Sequence, residues 1–77
     1  MSRRISVGQY VRSRRERAGL TIRGLSDLSG LSTTLIFNIE AGMTDPKLGY
    51  VEKLAKAFKE SPMTFLGEYY SAQRQRD

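Results

Sequence analysis

The 77-residue chain has no cysteine, no histidine and no tryptophan. The first absence removes disulfides and thiolate ligands; the second removes the common zinc ligand and the base that activates a Ser or Cys nucleophile. Asp27, Asp45, Glu52 and Glu60 form no evident catalytic pair, and no glycine-rich phosphate loop is present, so neither an enzyme, a metal nor a cofactor is expected. No apolar run approaches the roughly 20 residues needed to cross a bilayer, and Met1-Ser2-Arg3-Arg4-Ile5-Ser6 leads into none, which points to a soluble cytoplasmic protein. No strand pattern of useful length occurs either. The two prolines, Pro46 and Pro62, fall where helices are expected to begin.

The chain has charge of both signs, unevenly placed. Residues 1–24 hold seven Arg (3, 4, 12, 14, 15, 17 and 23) against the single Glu16, whereas residues 25–77 hold six Lys/Arg against seven Asp/Glu, so the whole excess of +5 lies in the first third. Arginine is used there throughout, and its forked donor suits phosphate.

Ser6-Val7-Gly8-Gln9 has the spacing of a capping box, and a helix should run from about Val7 to Ala18 before Gly19 stops it. Val7, Tyr10, Val11 and Ala18 give it an apolar stripe. Arg14 interrupts that stripe, its stem packing while the guanidinium reaches water. Two short helices follow, one from about 22 to 28 capped by Thr21 and one from about 33 to 41 capped by Ser32, separated by a turn at Ser29-Gly30-Leu31. Leu25 and Leu28 line one face of the first; Leu31, Ile36 and Ile39 turn inward from the turn and the second. Gly42 stands where a glycine would end it. A fourth helix should run from Pro46 to about Phe58, burying Leu48, Val51, Leu54, Ala55 and Phe58, and a fifth should open at Ser61-Pro62 with Met63, Phe65, Leu66, Tyr69 and Tyr70. Residues 72–77 are polar and should fray, and residues 1–5 read as a flexible basic arm. The pattern is an all-α, five-helix domain over residues 6–71, with a helix-turn-helix at about 21–41.

Gly8, Arg15, Gly19-Leu20-Thr21, Leu25-Ser26, Gly30-Leu31-Ser32, Ile36, Ile39-Glu40, Gly42, Pro46 and Leu54-Ala55 together make the chain resemble the Xre family of Cro and phage-repressor-type regulators. The resemblance implies a lambda-repressor-like fold that binds double-stranded operator DNA as a two-fold homodimer, with the helix at 33–41 in the major groove. It also implies an ion pair between Arg15 and Glu40 that ties the first helix to the recognition helix. Two departures stand out: Ile22 occupies a position where the family commonly has Gln, and Gly24 lies inside a helix at a cost of roughly 1 kcal/mol against Ala.

On that reading Thr33, Thr34, Leu35, Phe37 and Asn38 are the candidates for base contact. None can grip guanine with two hydrogen bonds; Asn38 suits the N6 and N7 edge of adenine, and the Thr methyls and Leu35 suit a thymine methyl, so A·T pairs are expected in the half-sites. Phe37 has three open placements: the core, a thymine methyl, or the partner subunit. Phosphate contacts fall to Arg12, Arg23, Ser32, Thr44 and Lys47, with Arg3 and Arg4 as an arm. The last helix carries more apolar surface than one face hides, which assigns Met63, Leu66, Tyr69 and Tyr70 to a dimer interface. The expected function is a sequence-specific transcriptional regulator, a repressor in particular. The alternative is an interaction module, antitoxin-like or otherwise partner-binding, that holds a protein partner through Phe37, Tyr69 and Tyr70.

Overall fold

Four of the five helices begin at a hydroxyl side chain that accepts a hydrogen bond from an otherwise unpaired first-turn amide. In the computed structural model, which describes residues 6–75 and side chains through Ser71, α1 spans Val7–Arg17. Its capping box is complete: Ser6 Oγ accepts from Gln9 N at 3.1 Å, and Ser6 N donates to Gln9 Oε1 at 3.0 Å. Thr21 Oγ1 accepts from Gly24 N at 3.0 Å to start α2 (Ile22–Ser29), and Ser32 Oγ accepts from Leu35 N at 3.1 Å to start α3 (Thr33–Glu40). Ser61 does the same for Thr64 N at the head of α5 (Pro62–Gln75).

The exception is α4 (Leu48–Ala57), whose N-cap Lys47 makes no side-chain cap. The helix starts two residues later than Pro46, because Lys47 is still extended at ψ 163° and the first turn forms only where its carbonyl accepts from Tyr50 and Val51. At the other end of the chain α5 continues to Gln75, past the point where fraying was expected.

The helices close on one core of Tyr10, Val11, Leu25, Leu31, Ile36, Ile39, Val51, Leu54, Ala55 and Phe65. Helix α1 packs on α3, α2 on α3 and α4, and α4 on α5. The tightest approach is at Gly8, where a Cβ would run into the Ile39 carbonyl oxygen and come within 3.0 Å of its carbon. Only glycine lets α1 lie this close to α3.

Four expectations are corrected here. Leu28 does not share the buried face of Leu25 but is 58% exposed, since α2 turns the arc of Ile22, Leu25 and Ser29 inward. Ser29 takes the inner place because its hydroxyl is used in the turn that follows. Ala18 and Leu48 also lie exposed, at the C-cap of α1 and the first position of α4. Arg14 does not stand out into water: its side chain is 17% exposed. Its guanidinium is held between α4 and α5, hydrogen-bonded to Glu60 at 3.1 Å, Glu68 at 2.8 Å and the Tyr10 hydroxyl at 3.2 Å, and lies 5.2 Å from the Phe58 ring centre. Two carboxylates and an aromatic lining let it remain charged at an otherwise apolar position.

Candidate nucleic-acid interface

The turn between α2 and α3 is held by its own serines. Ser26 Oγ donates to the Leu31 carbonyl at 2.6 Å, and Ser29 Oγ accepts from Leu31 N at 3.1 Å, so both backbone groups of a buried residue are satisfied. Gly30 makes the reversal at φ +77°, a value that costs other residues 1–2 kcal/mol or so. With Leu31 sealed beneath, the angle between the two helices is fixed by hydrogen bonds on one side and packing on the other.

Helix α3 is pinned by Ile36 and Ile39, both fully buried, and by α1. The structure brings Arg15 and Glu40 together: Nε donates to Oε2 at 2.8 Å and Nη2 to Oε1 at 3.0 Å, while Nη1 donates to the Leu20 carbonyl at 2.9 Å. Their side chains are 12% and 6% exposed. The bonds to Glu40 raise the Arg15 pKa above the ordinary arginine value against the opposing effect of burial, so the guanidinium stays charged. Two parallel bonds from a forked donor to one carboxylate give the pair a fixed direction as well as attraction.

That anchoring leaves one side of α3 free. Thr33, Thr34, Phe37 and Ala41 are exposed, Phe37 to 56%, and Asn38 is half-buried beside them. Leu35 is half-buried and packs against the core edge rather than standing clear. Of the three placements open for Phe37, the core is thereby excluded. Phe37, Ala41 and the half-buried Ile22 line a cleft of about 180 Å³ with Arg12, Arg15 and Glu40. Ser32, Arg23, Thr44 and Lys47 are exposed. Arg12 is also exposed and is paired with Glu16 at 3.3 Å, an i,i+4 contact open to water and easily exchanged. Among the described residues neither Arg23 nor Lys47 pairs with a carboxylate. Arg3 and Arg4 lie outside the described residues.

A helix-turn-helix whose second helix is anchored from behind and open in front is the arrangement shared by a known group of proteins. The HTH_3 helix-turn-helix family matches residues 11–65. The chain belongs to this family. An uncharacterised HTH-type transcriptional regulator of Mycobacterium tuberculosis is 33% identical over 54 residues, which are 70% of this chain and 39% of that protein. The chain therefore spans about two-fifths of the length of the curated relatives it matches. Among solved structures, the restriction-modification controller protein C.AhdI of Aeromonas hydrophila is 33% identical with a TM-score of 0.69, covering 75% of this chain and 88% of that one. The P22 c2 repressor, crystallised with a synthetic operator, is 26% identical with a TM-score of 0.69, over 79% of this chain and 92% of that one.

Within this HTH_3 chain the residues assigned to a dimer contact divide. Met63 is 85% and Tyr70 58% exposed. Leu66 and Tyr69 are half-buried and pack against the chain's own core, Tyr69 with its ring edge-on to Tyr10 at 5.5 Å. Two contributors to the interface escaped sequence reasoning, the hydrogen bonds made by the serines of the turn and the Gly8 contact under α3; Gly8, Ser26 and Ser29 stood in the pattern without their contacts.

Proposed function

We propose that this HTH_3 chain is a DNA-binding transcriptional regulator, acting as a repressor, that inserts α3 into the major groove as a two-fold dimer. The observation that carries the proposal is the division of α3 into a pinned side, Ile36, Ile39 and Glu40, and an open side, Thr33, Thr34 and Phe37. A rigid helix presented this way matches the dimensions of the groove, which admits one helix. The operator complex of the P22 c2 repressor supports it. Ser32, Arg12, Arg23, Thr44 and Lys47 hold phosphates, Asn38 and the threonines face base edges, and Met63 and Tyr70 are the exposed residues available to a partner subunit. The tie to repression is occupancy: a dimer covering two half-sites about 34 Å apart excludes other proteins from the same DNA.

Titration of site-selected duplex DNA by fluorescence anisotropy at several salt concentrations tests this. Binding should depend on sequence and fall steeply with salt, and Arg23→Ala or Lys47→Ala should each lower the log–log slope by about 1. Asn38→Ala should instead cost about 1–3 kcal/mol on the selected site and relax one base position. Equal affinity for selected and random duplexes overturns the reading. A species that sediments as a monomer on DNA removes the dimer.

A further inference from the structure

The open side of α3 carries no charge and is largely apolar. Thr33 and Thr34 present methyl groups beside their hydroxyls, Ala41 a methyl and Phe37 a ring, and the helix contains no Arg, Lys, Gln or Asp. Its single carboxylate, Glu40, could in principle accept from the amine of cytosine, but both of its oxygens are held by Arg15 and it is 6% exposed. The Arg15 guanidinium is engaged in the same pair and on the Leu20 carbonyl. Apart from Asn38 and the two hydroxyls, α3 can distinguish bases only by apolar contact. Next to Phe37 the cleft adds Ile22 from α2; of the charged residues that also line it, Arg15 and Glu40 are taken up by each other and Arg12 is paired with Glu16.

In the major groove, the apolar group carried by a base edge is the C5 methyl of thymine. A contact that recognises this methyl does so without touching O4, so it is blind to what else the pyrimidine carries. Cytosine bears hydrogen at C5, and methylation places there the group thymine has. We infer that the apolar surface of α3 around Phe37, with Ile22 of α2 beside it in the cleft, reads pyrimidine C5 methyl groups, and that 5-methylcytosine in place of cytosine at the facing pair strengthens binding. This rests on the major-groove reading proposed above. It makes the DNA's methylation state an input to the protein.

The test uses the intact chain and duplexes built on its selected site. Each thymine of a half-site is replaced in turn by deoxyuridine, which removes only the methyl, and each T·A pair in turn by C·G and by 5-methylcytosine·G. One or two positions should lose about fourfold in affinity with deoxyuridine, the worth of one buried methyl group, and at those positions 5-methylcytosine should bind about fourfold tighter than cytosine. Phe37→Ala, a change at an exposed residue, should abolish both differences. If the selected site binds but neither substitution matters, the methyl reading is overturned while the regulator stands. Failure to bind any duplex in a sequence-dependent way overturns both. Retention of the fourfold differences by Phe37→Ala removes Phe37 from the role.

Discussion

Glu40 is the residue on which the geometry of the candidate interface turns. It sits at the last position of α3, 6% exposed, and its two oxygens are matched by two nitrogens of Arg15. Removing the carboxylate would leave a charged guanidinium in a mostly dry place with one carbonyl for company. Glu40→Ala should therefore lose stability on the order of 3 kcal/mol, more than Glu40→Ala combined with Arg15→Met, in which no orphan charge remains. Urea unfolding followed by circular dichroism measures both, and equal midpoints for parent and Glu40→Ala would mean the pair contributes nothing. Glu40 was legible in the chain because it stands in a recurring family spacing with Arg15, whereas the Gly8 contact beneath the same helix was not. Gly8 stands in the same pattern, but that it admits a neighbour's backbone shows only once the neighbour is placed.

At the scale of a helix, local and tertiary causes separate. The caps at Ser6, Thr21, Ser32 and Ser61 were readable because each is a bond spanning three residues, complete within its own few atoms. Leu28 was misread because periodicity names an apolar arc without saying which edge the rest of the molecule will cover. Two helices also carry residues that fit them poorly. Gly24 lies in α2, where a Cβ would rest 3.4 Å from both the Leu20 and Thr21 side chains, an ordinary contact. Lys59 follows the C-cap of α4 at φ 61°, while its N–H bonds the Lys56 carbonyl and Glu60 N bonds the Ala55 carbonyl, a Schellman turn that glycine fits without strain. Gly24→Ala should gain roughly 0.5–1 kcal/mol by lowering the entropy of the unfolded chain, and Lys59→Gly a similar amount by relieving backbone strain. In a domain this small each should raise the melting temperature by about 2–8 °C. A fall on Gly24→Ala would mean that the Thr21 cap cannot tolerate the added methyl.

For the whole molecule the decisive element is Arg14, because its ion pairs join α1 to the end of α4 and to α5. The Schellman turn at Lys59 aims Glu60 back at it, and Glu68 reaches it from the second turn of α5. Burial pushes the Glu60 carboxyl up; the hydrogen bond from Arg14, a hydrogen bond with Glu68 and the charge of Arg14 together outweigh it, and the carboxyl titrates below the ordinary value of 4.5. The folded chain thus binds this proton less readily than the unfolded chain does. Glu60 accordingly contributes its full stability above about pH 4.5, and the contribution drains away as the pH falls through the lower folded-state value. Protonation of Glu60 weakens one of the two carboxylate contacts that hold the Arg14 guanidinium, and the hold of α5 on the rest of the domain weakens with it. Thermal melts from pH 7 to pH 3 should show the parent protein losing more than Glu60→Gln, which starts lower at neutral pH and converges with the parent in acid. Curves that stay parallel would place the acid sensitivity elsewhere. Because Met63 and Tyr70 project from the same helix, acid should also loosen any dimer they form, and a sedimentation series over that pH range should then show dissociation in the parent before global unfolding.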